Sequence, residues 1–238
     1  MRLLSTPGWF LALSIFVLAG CDDSTVAPYN VTIDPANFVT TIDNRFMPLT
    51  PGTVFRYEGT KDDQHEVNRV TVTRDTKVIL GVTCVQVADS VFVDGKIEEA
   101  TFDWFAQDRD GNVWYFGEYS EELDTSGAVV STAGSWEAGV LGAQPGIAML
   151  ANPDVGHTYR QEFLQGEAED EGHVLSLNES VTVPFGSYSG CLKTEEWTAL
   201  EPGTVECKFY GPNVGMLKTI SVAGAEDHSE LVSVTTLP

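Results

Sequence analysis

From Phe46 to the C-terminus, apolar and polar residues alternate in short runs such as PGTVFRYEG, GVTCVQV and TEEWTALEPGTVECKFY. The runs are rich in Val, Thr, Phe and Tyr and are broken by Gly, Pro and Asp-Gly. A period of two places successive side chains on opposite faces of a strand, and those breakers close each strand with a turn. The pattern predicts antiparallel β-structure throughout and no amphipathic helix longer than a turn or two.

The pattern also echoes itself. PGTVFRYEG at Pro51–Gly59 matches VGHTYRQEF at Val155–Phe163, aligning Gly52 with Gly156, Phe55 with Tyr159 and Arg56 with Arg160. Farther on, GVTCVQV meets GSYSGCLKT, bringing Cys84 close to Cys191, and Phe105 meets Phe209. Echoes of this kind point to one sheet built from two similar units. Between them lies STAGSWEAGVLGAQPGIAMLANP, too apolar for a free linker and expected to pack over one end of the sheet. The expected fold class is therefore all-β and mainly antiparallel: a curved sheet or open half-barrel of two related halves, with a short irregular or helical connector. The expected organisation is a signal peptide over 1–20, an acylated cysteine and tether over 21–45, and one β domain over 46–238. Its halves are placed at about 46–130 and 152–238, with the connector at 131–151.

Turn chemistry sets the expected registers. In FDWFAQDRDGNVWYFGE, a two-residue Asp110-Gly111 turn would set Asp103 opposite Glu118. Like charges directly opposite are destabilising. A three-residue loop, Arg109-Asp110-Gly111 with a left-handed glycine, shifts the register by one. It puts Asp103 opposite Gly117, Trp104 opposite Phe116 and Ala106 opposite Trp114. Phe102, Trp104, Ala106, Trp114 and Phe116 then share a core-facing side, with Glu118 at its edge and Arg56 or Arg160 as its expected ion-pair partner. In the second half, a hairpin around Pro202-Gly203 is expected to set Ala199 opposite Val205 and Trp197 opposite Cys207, leaving Glu196 and Lys208 as an opposite-charge pair. Cys191 would then lie about 20 Å along the strand from the position facing Cys207, beyond the reach of a disulfide. A Cys84–Cys191 bridge stays open, with buried thiols as the default.

The N-terminus changes the picture of where the chain lives. MRLLSTPGWFLALSIFVLAGCDD carries Arg2, an apolar core from Trp9 to Leu18 too short to span a bilayer, and Leu18-Ala19-Gly20-Cys21. This resembles the bacterial lipobox, in which the leader is cut before the cysteine and that residue is acylated. Cys21 is the expected lipid attachment, and two or more acyl chains anchor stably. No later segment approaches the ~20 apolar residues of a spanning helix. The expected location is the bacterial envelope, extracytoplasmic and lipid-anchored, at the periplasmic or the cell surface.

The formal net charge is −22. Cleavage removes Arg2 and leaves 12 basic residues against 35 acidic ones. That balance excludes nucleic acid as a partner and attraction to anionic headgroups, while favouring solubility and cationic partners. The remaining cysteines, Cys84, Cys191 and Cys207, form no CxxC and no Cys/His cluster, so no zinc site is expected.

Candidate chemistry is sparse. Asp108, Asp110 and Asn112 alternate like the first ligands of an EF-hand, but Val113 stands where glycine is required and Tyr119 where the last ligand belongs. The EF-hand fails; a weak Ca²⁺ site on those oxygens is the alternative to their turn chemistry, and no other cofactor is expected. A second acidic cluster runs from Glu162 through Glu167, Glu169, Asp170 and Glu171 to His173. GSYSG has Tyr188 where a nucleophile elbow needs serine, and the four histidines are scattered. No catalytic residue is assigned. The ligand-binding candidates are Asp103, Trp104, Glu118, Trp136, Glu137, Arg160 and Glu162.

DWFAQDRDGNVWYFGE, SWEAGVLGAQPGIAML and YRQEFLQGEAED resemble signature segments of an uncharacterised family of bacterial secreted proteins and lipoproteins. The resemblance implies that the three belong to one domain and implies no activity. The doubled β organisation is similar, as fold analogy alone, to the half-barrel of LolA/LolB-type lipoprotein carriers. The leading expectation is a non-catalytic envelope lipoprotein that binds a small apolar or amphiphilic ligand or an envelope protein. The alternatives are an extracytoplasmic carboxylate-dependent hydrolase and a weakly calcium-stabilised structural protein.

Overall fold

The alternation is realised as strands almost everywhere. The structure, a computed structural model, describes residues 29–61, 63–224 and 227–238; Cys21 and the lipobox lie outside the described residues. The strands are β1 (Phe38–Val39), β2 (Thr53–Lys61), β3 (Gln64–Ile79), β4 (Val82–Val93), β5 (Lys96–Asp108), β6 (Val113–Leu123), β7 (Val129–Ser131), β8 (Trp136–Glu137), β9 (Gln144–Met149), β10 (Thr158–Arg160), β11 (Glu162–Phe163), β12 (Asp170–Val183), β13 (Gly186–Thr198), β14 (Val205–Gly211), β15 (Gly215–Ala223) and β16 (His228–Thr236). Every pairing is antiparallel. Helical structure among the described residues is one 3-10 turn, Pro35–Asn37, capped by the Asp34 side chain. The connector holds no helix and instead contributes β8 and β9, which pair with β6.

The sheet runs β10-β12-β13-β14-β15-β16-β2-β3-β4-β5-β6-β9-β11. One segment, Thr158 to Phe163, nearly closes it. Its first part, β10, pairs with β12, and its second part, β11, pairs with β9 at the opposite edge. Between them the Gln161 N–H donates to the Asp170 carbonyl at 2.8 Å. The expected open half-barrel is thus an almost closed barrel with a single seam. One pair aligned by the echo bonds alike: Gly52 N–H donates to Val72 O at 2.7 Å and Gly156 N–H to Val174 O at 2.8 Å.

Two apolar clusters follow from the two faces of the strands. The inner one draws Phe55, Tyr57, Val72, Val87, Phe105, Leu192, Leu217 and Leu231 from around the whole barrel. The outer one sets Trp104, Ala106 and Phe116 against Ala138, Ala143 and Ala168. Phe102, expected on a core face, is 43 % exposed. The segment read as a tether packs from Tyr29 onward: the Tyr29 hydroxyl donates to Pro145 O at 2.9 Å, β1 pairs with β5, and Ile42 enters the inner core.

The expected three-residue loop is present. Asp108 N–H donates to Asn112 O, Gly111 has φ +97°, and Ala106 faces Trp114. Beyond Phe105 the register changes. A bulge at Phe116-Gly117 sets Trp104 opposite Gly117 and Asp103 opposite Glu118, correcting the expected pairing. Gly117 adopts φ +143°, and a Cβ there would lie 2.5 Å from the Trp136 carbonyl oxygen, so glycine is required at the bulge. The extra residue keeps Phe116 outside while turning Glu118 inward.

The second hairpin is two residues out of the expected register, with Glu195 opposite Cys207 and Thr194 opposite Lys208. A shift by two preserves the faces, and Lys208 Nζ still reaches Glu196 at 2.8 Å. Cys84, Cys191 and Cys207 are buried free thiols, and burial pushes Cys84 up to about 12.

Candidate functional site

Inward-facing residues of β2, β4, β5 and β6 line a cavity of about 310 Å³ beside the seam. Its apolar wall comes from Met47, Leu49, Val70, Val87 and Met216, with the rings of Phe55, Tyr57, Phe105, Tyr115 and Tyr210. Its carboxyl groups are Asp89, Asp103, Glu162, Asp170 and Glu196 against one ammonium, Lys208, with the Gln161 amide beside them.

Asp103 sits at the centre of this arrangement because the bulge places Glu118 directly across from it. The Tyr115 hydroxyl donates to Asp103 Oδ1 at 2.6 Å, and its ring stacks on Phe105 with centroids 4.8 Å apart. Burial pushes Asp103 up to about 7; the Tyr115 hydrogen bond opposes this and Glu118 adds to it. Burial raises Glu118 to about 7, again opposed by Tyr115 and reinforced by Glu99. Glu162, 6 % exposed on β11, is raised to about 8 by burial and then by Asp170 and Glu118. Asp89 reaches about 7 through burial and the proximity of Asp103, with Asn68 opposing. These carboxyls exchange protons near neutrality, whereas the surrounding phenols, raised chiefly by burial, stay protonated donors.

Glu196 behaves oppositely. Burial would raise it, but Lys208 at 2.8 Å and the Thr194 hydroxyl at 2.8 Å hold its carboxyl below the ordinary range. Burial would lower Lys208, and Glu196 more than offsets that.

Of the candidates read from sequence, Asp103 and Glu162 line the cavity, Glu118 faces Asp103 across the strand pair, and Trp136 packs in the outer cluster beside them. Trp136 lies opposite Glu118 across β6 and β8 and meets Tyr115 edge-on at 5.3 Å. Its indole N–H has no partner in hydrogen-bonding geometry, yet it is near enough to Glu162 to lower that carboxyl slightly. The other three lie elsewhere. Glu137 points outward to Lys77 at 2.7 Å, and that ammonium sits 3.6 Å from the Trp104 ring centre. Arg160 pairs with Glu171 at 2.6 Å and Arg56 pairs with Glu58, so neither arginine is the expected partner of Glu118.

At the hairpin tip, Asp108 accepts from Asn112 N–H, Asn112 Nδ2 and Trp114 Nε1 at 2.9, 2.9 and 2.8 Å, and Asn112 Oδ1 accepts from Ala151 N–H. Their oxygens serve the turn and the adjoining loop. The second acidic run divides: Glu162 and Asp170 line the cavity, Glu171 holds Arg160, and His173 bonds Thr158. No group of three or more His, Cys, Asp or Glu among the described residues is arranged to hold a metal ion.

Sequence reasoning missed Asp89, Tyr115 as a hydrogen-bond donor, and the Tyr57–Tyr210 rings. A signal for Asp89 existed. Val85, Val87 and Asp89 share one period-two face, so an aspartate stands on an apolar stripe.

The fold resembles two solved structures. One is an exported-protein candidate with a YmcC-like fold from Bacteroides fragilis, 16% identical, covering 81% of this chain and 100% of that one at a TM-score of 0.49. The other is a candidate lipoprotein from Parabacteroides distasonis, 14% identical, with the same coverages and a TM-score of 0.46. No family model matches the chain, and no curated protein is significantly similar to it.

Proposed function

We propose that this chain is an envelope lipoprotein whose barrel binds a small amphiphilic ligand in the cavity beside the seam. The cavity itself carries the reading: about 310 Å³ of interior space with a largely apolar wall and converging polar groups. Pockets for small molecules have this mixture, with volumes of roughly 300–1,000 Å³. The lipobox-like leader over 1–20, followed by Cys21, supports anchorage outside the cytoplasm. Calorimetric titration with octan-1-ol tests the site. One molecule binds per chain, and Ala148→Trp, which fills the wall at β9, removes the binding while the fold persists. Unaltered affinity in that variant would place the alcohol elsewhere.

A second reading is favoured by one observation, the Asp103–Glu118 pair. Facing carboxyls that titrate near neutrality are suited to general acid–base hydrolysis. It requires turnover of ester or glycoside substrates that disappears in Asp103→Asn; turnover persisting in that variant removes this pair from the chemistry.

A further inference from the structure

Asp89 lines the cavity, and its Oδ1 is buried without a hydrogen-bond partner; the Oδ1 of Asn68, its neighbour outside the cavity lining, is likewise unpartnered. The other Asp89 oxygen receives only a 3.3 Å bond from Asn68 Nδ2. A buried acceptor left unpaired is destabilising until a donor reaches it. An acceptor-rich wall of this kind is complementary to a donor. The rings of Phe55, Tyr57, Phe105, Tyr115 and Tyr210 line the same space. Aromatic faces and carboxylates both attract a cation, and an N⁺–H group also satisfies unpaired oxygens. Lys208 does not repel such a guest, because Glu196 at 2.8 Å neutralises it.

We infer that the cavity selects an amphiphile bearing a protonated primary or secondary amine, its N–H groups directed at Asp89 and Asp103 and its chain along Met47, Leu49, Val70 and Val87. This rests on the interior being a ligand cavity and adds the chemical class of its guest. A carboxylate head would meet Asp89, Asp103, Glu162 and Asp170. A quaternary ammonium would satisfy the rings but offer no hydrogen to the unpaired Asp89 oxygen.

Binding is linked to proton release. Asp89 is influenced by Asp103 and Glu99 of β5 and by Glu66 of β3. Asp103 feels Glu118 of β6 and Glu99, and its partner Tyr115 stays protonated. Glu162 of β11 and Asp170 of β12 close the acidic side. Their protons must leave as the ammonium enters, so affinity rises with pH through about 7 to 8.

Titration calorimetry with octylamine, octan-1-ol, octanoate and octyltrimethylammonium at about pH 5.5 and pH 8 tests this. Octylamine is expected to bind tightest at pH 8, by about tenfold or more over its own affinity at pH 5.5. Octan-1-ol should bind more weakly with little pH dependence, and octanoate should not bind. Asp89→Asn with Asp103→Asn should abolish the amine preference and its pH dependence while retaining the alcohol. An alcohol or carboxylate that binds as well as the amine overturns the inference and leaves the cavity reading standing. Equal binding of the quaternary ammonium overturns the hydrogen-bonded head. Failure of all four probes to bind overturns both.

Discussion

Between about pH 5 and pH 8 the melting temperature is expected to fall by on the order of 10 °C. Asp89, Asp103 and Glu118 are held near 7 and Glu162 near 8, against about 4 in an unfolded chain. Below the unfolded values both states keep these protons and burial is unopposed. Above them the unfolded chain releases protons that the folded barrel retains, so stability declines with rising pH until the folded values have been passed. One independent shift of this size corresponds to about 4 kcal/mol. A coupled, partly hydrated cluster yields a total of that order and not a multiple of it. Asp103→Asn keeps an oxygen for the Tyr115 hydroxyl and removes one of the two facing charges. It should raise the melting temperature by several degrees at pH 8 and leave it nearly unchanged at pH 5. Thermal melts at both pH values measure this, and a profile that is flat or rises with pH contradicts it.

Lys208→Met is expected to destabilise the barrel by about 3–5 kcal/mol at pH 8. The substitution leaves Glu196, 7 % exposed, with the Thr194 hydroxyl at 2.8 Å and the Tyr210 hydroxyl at 3.2 Å but no cation. Glu196 is depressed in the native state, so its stabilising contribution is present above its unfolded value and is lost as pH falls through its lower folded value. The damage should therefore shrink in acid, where Glu196 in the variant takes up a proton. Adding Glu196→Gln should recover most of the loss, because the uncompensated charge has gone. Denaturant unfolding of the two variants decides the matter. Equal stability of Lys208→Met and wild type would make the pair a bystander.

The strands and the first turn were legible because their signals are local. Alternation and the Arg109-Asp110-Gly111 loop each reside within a few residues. The position of Glu118 was not legible, since it depends on a bulge whose mark in the sequence is one glycine, Gly117, between Phe116 and Glu118. That single extra residue reverses which side every later residue faces. It produces the carboxyl pair that like-charge repulsion had argued against. The second hairpin slipped by two residues for the opposite reason: a period-two pattern is unchanged by that shift, so Glu196 and Lys208 still met. Closure was hidden because YRQEF reads as one strand, while the barrel divides it between β12 and β9. Nothing within the five residues specifies two partners. The convergence of Asp89, Asp103 and Glu162 required all of these at once.

Mass spectrometry of the full-length protein, purified in mild detergent from the cells that express it, tests the central claim most directly. The protein should carry a small amphiphile at up to one per chain, released on unfolding and missing from the Ala148→Trp variant prepared identically. A native protein that repeatedly emerges without any such molecule, or a variant that retains it, would contradict the barrel as a ligand carrier.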